Sequence, residues 1–135
     1  MITAVDSSVL LDILGADLTF GRMSRDALVG AASRGAVIAC DVVWAETAAA
    51  FPSMTEAARG LGGLGVDFVA LDATCALGAG EAWRSYRKQG GTRQRVIADF
   101  LIGAHATEMA DRLLTRDRGF YRTYFRKLAI IDPTT

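Results

Sequence analysis

One long apolar stretch constrains the fold of this chain more than any other feature. Nearly every residue from Val96 to Ala106 is apolar or small, within the run RVIADFLIGAHATEMA of residues 95–110. A helix that is apolar on all sides belongs inside a domain. Asp99 interrupts the run in its expected first turn, and an ionised carboxylate is costly to bury unless charge or hydrogen bonds compensate it. Asp99 therefore either stabilises the helix start, where N–H groups favour an acid, or ligates a metal together with other carboxylates.

The composition indicates one folded domain of ordinary size. The chain has 135 residues, of which 51% are hydrophobic and 22% charged, with two prolines. This is far from a disordered composition, and such a length buries about two-thirds of the unfolded surface. We therefore expect a single domain spanning residues 1–135. Its apolar runs are shorter than the ~18 residues of a membrane span, and Met1 leads directly into a strand-like segment. We expect a cytoplasmic protein without membrane contact.

The charges are unevenly distributed, although the net charge is zero. Residues 1–80 carry four arginines against nine acids, which is 4 − 9 = −5. Residues 81–127 carry eleven bases against five acids, which is 11 − 5 = +6. This asymmetry is compatible with a face that binds a polyanion, and equally with a solvated helix surface.

Alternating apolar runs and helical patterns predict an α/β fold. Strands are predicted at residues 2–5, 36–39, 66–71, 113–115 and 128–131, and the main intervening helices at 18–34, 41–51, 53–60, 74–88 and 95–110. The helix at 18–34 should direct Leu28, Val29 and Ala32 inward, and Asp41 should cap the helix at 41–51. Ser53 with Glu56 has capping-box spacing. The glycines at 60–65 follow a helix and precede a strand, so we interpret them as a turn rather than a phosphate-binding loop. This order predicts a parallel sheet with helices on both faces.

Several residues with chemical potential are interpreted as core residues. Cys40 and Cys75 have apolar neighbours and no CxxC or Cys/His spacing, so we expect reduced, buried thiols. His105 lies six residues after Asp99, roughly 240° around the helix, and should be buried and hydrogen-bonded. The aromatic residues are expected in the core or an interface rather than as base-stacking platforms, with Phe120 or Tyr121 the best candidates for stacking. They are Trp44, Trp83, Phe120, Tyr121, Tyr124 and Phe125.

Carboxylates cluster where the predicted strands end. Asp6 follows the first strand and Asp117 lies two residues past the fourth, so both project at the edge where open parallel sheets form their sites. Asp99 opens the helix that leads into the fourth strand, and Glu46 is a lone acid in an apolar helix. Each acid alone fits a turn, a helix start or an ion pair.

Convergence of these acids would favour a bound cation. Two carboxylates ~4 Å apart repel by roughly 4 kcal/mol at an effective dielectric constant of about 20, so several remain charged only with a cation among them. Oxygen ligands without suitably spaced cysteine or histidine favour Mg²⁺ or Mn²⁺ over zinc. A hard divalent ion beside a basic face suggests phosphodiester chemistry.

Four segments, AVDSSVLLDIL, VVWAE, ADFLIGAHA and LLTRDRGFYRTYF, resemble the acidic motifs of the PIN-domain nucleases, most closely the VapC toxins of type II toxin–antitoxin pairs. The similarity extends from Ala4 to Phe125. Two positions depart from the pattern: Ser7 stands where threonine is common, and Arg126 where we expect proline. The resemblance implies a three-layer PIN fold with a five-stranded parallel sheet, and an RNA substrate. It also implies a catalytic and metal-binding quartet of Asp6, Glu46, Asp99 and Asp117, with Ser7 and Thr115 as accessory groups.

The resemblance further implies a metal-dependent endoribonuclease. One or two Mg²⁺ ions, or Mn²⁺, would be held by Asp6, Asp99 and Asp117 with Glu46 close by, and would activate a water. Candidate RNA-binding residues, each equally able to balance the acids, are Arg93, Arg95, Arg116 and Arg118.

The implied partners are a VapB-type antitoxin and a second copy of the chain. We expect antitoxin contacts on helices 18–34 and 53–59. Two alternatives remain. One is a catalytically silent PIN-fold module that binds RNA or protein. The other is a signalling receiver, which needs a lysine after a late strand, whereas neither Lys88 nor Lys127 follows an acid-bearing strand end.

Overall fold

The fold is built on a sheet of short parallel strands. The computed structural model describes residues 1–91 and 96–135, and in these residues five strands run in the order β3-β2-β1-β4-β5. All four pairings are parallel, so the predicted sheet is confirmed. The strands are β1 (Thr3–Val5), β2 (Val37–Ala39), β3 (Asp67–Phe68), β4 (Arg112–Leu114) and β5 (Ala129–Ile131).

Helices pack on both faces of this sheet and complete the predicted three-layer arrangement. The described residues contain α1 (Ser7–Leu14), α2 (Gly21–Ala32), α3 (Asp41–Ala48), α4 (Met54–Gly63), α5 (Ala73–Lys88), α6 (Ile97–Met109) and α7 (Arg118–Tyr124). Every residue of β1 and β2 is buried, as expected of strands covered on both faces. None of the described helices is long and apolar enough to span a membrane.

The third strand is shorter than the sequence predicts. Only Asp67 and Phe68 form β3, and both are exposed at the sheet edge. The chain then bends toward the start of α3, where the backbone N–H of Leu71 donates to Asp41 Oδ1 at 3.3 Å. Asp41 is therefore the first residue of α3 rather than its cap, because its carboxylate is used by the neighbouring loop.

The second helix starts later and faces differently than predicted. Asp17 Oδ1 accepts hydrogen bonds from the backbone N–H groups of Thr19 and Phe20, at 2.9 and 2.7 Å, and this turn delays the helix until Gly21. Val29 and Ala32, both expected inside, are exposed, Val29 to 63%. The buried positions of α2 are Ser24, Leu28 and Ala31.

The glycine-rich segment after residue 60 is partly helical. Ser53 caps α4 as predicted, because its Oγ accepts from the backbone N–H of Glu56 at 3.2 Å. The helix then continues to Gly63 instead of ending at a turn from residue 60. The ring of Phe51 packs closely over Gly60, so a Cβ at this position would displace that ring.

The apolar stretch forms α6, and the prediction of a buried helix is confirmed. Phe100 and the residues from Ile102 to Ala106 are buried, with Asp99 in the first turn. His105 is 1% exposed, and its Nε2 donates to the carbonyl of Val69 at 2.8 Å, as expected of a buried, hydrogen-bonded histidine. The free thiols, Cys40 and Cys75, are also buried.

Candidate functional site

The site forms at the carboxyl ends of β1 and β4, the central neighbours of the sheet. The chain passes from β1 to β2 on one side and later returns to β4 on the other, so the strand order reverses here. Such a switch point leaves a crevice beyond the strand ends. Asp6 directly follows β1, and Asp117 lies three residues past the end of β4. The topology therefore brings both acids to the same crevice.

Thr115 joins the two strand ends. Its Oγ1 donates to Asp6 Oδ2 at 2.8 Å and accepts from the backbone N–H of Asp117 at 3.0 Å. The backbone N–H of Asp6 in turn donates to the carbonyl of Leu114 at 3.0 Å. Thr115 is fully buried, so its hydroxyl fixes both acid-bearing segments from inside the fold.

Asp6 is a buried carboxyl with an unusual electrostatic environment. It is only 7% exposed, and burial raises its pKa to about 6. Hydrogen bonds from Thr115 and from the backbone N–H of Ser7 oppose this increase in pKa, while the negative charges of Asp99 and Glu46 add to it. Asp99 and Glu46 are therefore both close enough to Asp6 to influence its charge.

Glu46 approaches the site from α3 through Ser7. The Ser7 hydroxyl donates to Glu46 Oε1 at 3.0 Å and lies 3.5 Å from Asp6 Oδ1. Glu46 itself is exposed. The serine at this position thus links the acid on α3 to the end of β1, a function that its hydroxyl shares with threonine.

An open cleft of about 410 Å³ gathers most of the predicted site residues. Asp99, in the first turn of α6, and Asp117, which precedes α7, face Asp6 across it. Its lining is Asp6, Ser7, Ser8, Asp99, Arg116 and Asp117. With Glu46 at its edge through Ser7, all four predicted acids lie at one end of the sheet.

One feature of the cleft was missed from the sequence. Asp12, on α1, is 5% exposed and forms a two-point ion pair with Arg116, whose Nε and Nη2 donate at 2.7 and 3.0 Å. Ser24 on α2 also donates to Asp12, at 2.8 Å. The available signal was an acid inside the apolar run VLLDIL, which called for a partner that the sequence did not identify.

The other candidate RNA contacts differ in placement. Arg118 is 47% exposed and lies 3.6 Å from Asp132 after β5. Arg93 and Arg95 lie outside the described residues. Phe120 and Tyr121 are 7% and 0% exposed, so neither presents a face for base stacking, and the core interpretation of both residues is confirmed.

The donor set fits a hard divalent cation in chemistry and charge. The cleft presents carboxylate oxygens, and burial together with like charges makes the ionised form of Asp6 costly unless positive charge is added. The positions of the side chains are less favourable: in residues 1–91 and 96–135, no three acidic, histidine or cysteine side chains converge closely enough to hold an ion.

The fold and this acidic cleft identify the class of protein. The PIN domain family model matches residues 3–126, and the chain belongs to that family. A comparison with curated protein sequences gave no match.

Solved structures of toxin–antitoxin systems share the fold of this chain. A chain of VapBC-1 from nontypeable Haemophilus influenzae aligns with a TM-score of 0.77 over 100% of both chains, at 17% identity. VapBC2 from Rickettsia felis, bound to a promoter DNA fragment, gives 0.76 over 98% of each chain at 18% identity. VapC20 of Mycobacterium tuberculosis, a toxin that cleaves the sarcin–ricin loop, gives 0.64 over 94% of this chain and 98% of that chain at 15% identity. At these identities the likeness concerns the fold.

Proposed function

We propose that this chain is a Mg²⁺-dependent endoribonuclease and the toxin of a type II toxin–antitoxin pair. The observation that carries the proposal is the gathering of Asp6, Asp99 and Asp117 in one cleft, with Glu46 attached through Ser7. Membership of the PIN domain family and the likeness to VapC folds support the same function.

Each site residue has a distinct task in this proposal. Asp6, Asp99 and Asp117 supply the oxygens that hold the ion, and Glu46 lies close enough to join them. Thr115 orients Asp6 and the segment of Asp117 through its two hydrogen bonds. When bound, the divalent ion supplies acidification of a water nucleophile and neutralisation of charge on the scissile phosphate. The products would carry 5′-phosphate and 3′-hydroxyl ends.

RNA is the proposed substrate because the acidic cleft lies in a chain whose second half is basic. Residues 81–127 carry a net charge of +6. Basic side chains can bind the phosphate backbone of a single strand beside the cleft. Affinity for single-stranded RNA should therefore fall as salt concentration rises.

A cleavage assay with matched variants tests the proposal. Purified protein is incubated with single-stranded RNA in Mg²⁺, in Mn²⁺ and in EDTA, beside Asp99→Asn and Asp26→Asn prepared identically. Asp26 is an exposed acid on α2, away from the cleft, so its variant controls for the loss of one charge. We expect cleavage in both metals by wild type and Asp26→Asn, and its loss in EDTA and in Asp99→Asn.

Mapping the 5′ ends of cleaved RNA after induced expression then identifies the target. Fragments that appear with wild type and not with Asp99→Asn are attributable to this site. Cleavage that persists unchanged in Asp99→Asn or in EDTA contradicts the proposal. Metal-independent binding without cleavage supports the alternative, a catalytically silent PIN-fold module.

A groove between α1, α2 and α4 supports an antitoxin partner. Leu28, Val29, Ala32 and Leu64 line it, and Val29 is 63% exposed. The proposed partner is a VapB-type antitoxin that covers α2 and α4 and extends a basic C-terminal segment toward the acids. Val29→Asp should reduce co-purification of such an antitoxin, whereas Leu77→Asp, at an exposed position of α5, should not. The proposed homodimer is tested by analytical ultracentrifugation.

A further inference from the structure

We infer that Arg116 contacts a phosphate of RNA bound in the acidic cleft, and that Asp12 and Phe20 position its guanidinium for that contact. This inference rests on the proposed function and assigns one named residue to recognition of the RNA backbone. Its basis is a partly buried network of a carboxylate, a serine hydroxyl and an aromatic ring around Arg116, beside the cleft.

Asp12 on α1, supported by Ser24 on α2, holds the guanidinium of Arg116 in place. Its Nε and Nη2 donate to the two oxygens of Asp12 at 2.7 and 3.0 Å, which is the parallel, two-point geometry that arginine and carboxylate prefer. Asp12 is 5% exposed and is itself fixed by the Ser24 hydroxyl at 2.8 Å. This pair holds the pKa of Arg116 above its usual value, so the guanidinium stays charged.

The ring of Phe20 lies against one face of the same guanidinium and restricts its orientation. The Cζ of Arg116 lies 4.1 Å from the centroid of the Phe20 ring, within the range of a cation–π contact. Phe20 is held in turn, because its backbone N–H donates to Asp17 Oδ1 at 2.7 Å. The plane of the guanidinium is thus defined by an aromatic face and a carboxylate from two other segments of the chain.

The rest of Arg116 faces the cleft. Its side chain is 29% exposed and lines the same cavity as Asp6, Asp99 and Asp117. A guanidinium has five N–H donors, and the pair with Asp12 uses two of them. The other three give a planar donor set at the rim of the acidic cleft. An arginine that is already ordered loses little side-chain entropy when it binds phosphate.

The competing interpretation is that Arg116 only neutralises Asp12. In that case RNA affinity would not depend on Arg116 in a folded variant. The inference instead requires a contribution to the salt dependence of binding, because each phosphate contact on a single strand contributes a slope of about 0.7 in a log–log plot.

Arg112 provides a matched control. It lies at the amino end of β4, the end of the strand opposite the cleft, is half-buried like Arg116, and donates from its Nε to Thr3 Oγ1 at 2.8 Å. Arg112→Gln therefore removes an ordered arginine and a side-chain hydrogen bond without affecting the cleft.

Binding of a fluorescein-labelled single-stranded oligoribonucleotide is measured by anisotropy in EDTA, over a KCl series, in an Asp99→Asn background. We expect Arg116→Gln to weaken binding about tenfold at low salt, as loss of a charged hydrogen bond does, and to reduce the slope by about 0.7. Arg112→Gln should change neither. Asp12→Asn should weaken binding by less and keep the slope, because the positive charge remains while its positioning is lost.

The double variant Asp12→Asn/Arg116→Gln should bind as weakly as Arg116→Gln alone, because Asp12 acts only through Arg116. It also leaves no unpaired carboxylate, so it carries the test if Arg116→Gln fails to fold. In the Asp99-intact enzyme, Asp12→Asn should raise KM more than it lowers kcat. A folded Arg116 variant with the parental slope, or additive effects of the two substitutions, would overturn the inference. If the parent itself neither binds nor cleaves RNA, the proposed function fails instead.

Discussion

Asp6 directly precedes α1 and Asp12 lies within it, and both are almost hidden from solvent, yet their surroundings differ. Asp6 is 7% exposed and Asp12 is 5% exposed. Asp12 is paired with the Arg116 guanidinium and with a serine hydroxyl. Asp6 has hydrogen bonds from the Thr115 hydroxyl and the backbone N–H of Ser7, and it feels the negative charges of Asp99 and Glu46 as well as the positive charge of Arg116, whose guanidinium is paired with Asp12; burial raises its pKa to about 6.

The difference separates a structural acid from a functional one. A buried carboxylate with a permanent counter-charge has no need of a ligand, and its electrostatic cost is already compensated. A buried carboxylate beside other acids carries a cost that an added cation would relieve. We therefore attribute to Asp12 the positioning of Arg116 and to Asp6 the central place in the proposed metal site.

The largest effects are expected from Asp6→Asn. Loss of a direct ligand should reduce cleavage by at least about 100-fold, since even outer ligands cost 10- to 100-fold. The same change should stabilise the protein in EDTA at pH 7.5. A carboxyl pKa raised from 3.8 to about 6 makes folding less favourable as pH rises between these values, by up to about 3 kcal/mol above pH 6. Asn removes this penalty and can still accept from Thr115.

Urea unfolding of Asp6→Asn and wild type at pH 4 and at pH 7.5 measures this effect. The gain in stability should appear at the higher pH and shrink to about 0.5 kcal/mol at the lower one, where the folded carboxyl is protonated and the unfolded one is partly protonated. Asp67→Asn, at an exposed site on β3, should stay within about 0.5 kcal/mol of wild type. If Asp6→Asn were less stable than wild type at pH 7.5, burial of Asp6 would not be destabilising, and Asp6 would not differ from Asp12 in this respect.

Asp12→Asn should shift stability in the opposite direction. Removing one partner of a buried ion pair costs about 3–5 kcal/mol when both groups are buried. Because the Arg116 side chain is 29% exposed and can be hydrated, we expect about 1–3 kcal/mol here. Chemical unfolding at pH 7.5 checks this value, and Asp12→Asn/Arg116→Gln should recover part of the loss. Equal signs for the two Asp→Asn variants would show that these acids do not differ as described.

The sequence predicted the features that depend on local pattern and chain order. The apolar run around Asp99 specified a buried helix, and the order of strands and helices specified a parallel sheet with Asp6 and Asp117 at one edge. Hydrophobic periodicity and strand ends are local signals, so they were readable without coordinates. That residues 1–135 form a single domain stays a prediction.

Features that depend on tertiary contacts were not predictable in this way. Asp12 and Arg116 are separated by 104 positions in sequence, and only packing of α1 against the end of β4 brings them together. The apolar residues of α2 are compatible with burial of either of two faces of this helix. Which face is buried, and hence whether Val29 is exposed, depends on how α2 packs against the rest of the domain. Sequence reasoning therefore found the acids and missed the network that orders the arginine beside them.

Thr115→Val tests the difference between Asp6 and Asp12 from the side of Asp6. Asp12 is held by an ion pair with Arg116, whereas Asp6 is held by the Thr115 hydroxyl, which this variant removes. The buried hydroxyl serves Asp6 and the backbone N–H of Asp117, so its loss should cost about 1–3 kcal/mol and lower Mn²⁺ affinity by about 10- to 100-fold. Thermal unfolding in EDTA and calorimetric titration with Mn²⁺ measure these effects. Thr123→Val, which loses an exposed bond to the carbonyl of Gly119, should leave Mn²⁺ affinity unchanged. Unchanged affinity in Thr115→Val would mean that Thr115 does not position Asp6.

The smallest effect on stability is expected from titration of His105, which is a buried base, whereas Asp6 and Asp12 are buried acids. Burial lowers its pKa below the ordinary value of 6.5, although the hydrogen bond to the carbonyl of Val69 opposes this. The unfolded histidine therefore binds a proton more readily than the folded one, and its contribution to stability is complete above pH 6.5 and declines as pH falls below it. The contribution of Asp6 to stability has the opposite pH dependence, since it falls as pH rises from about 4 to 6. The two groups titrate in overlapping pH ranges, so the pH dependence of wild type alone cannot separate them. The difference in unfolding free energy between wild type and His105→Gln isolates the histidine, because Asp6 is common to both proteins. That difference should shrink as pH falls below 6.5, and a difference that is constant with pH would show that His105 titrates as it does in the unfolded chain.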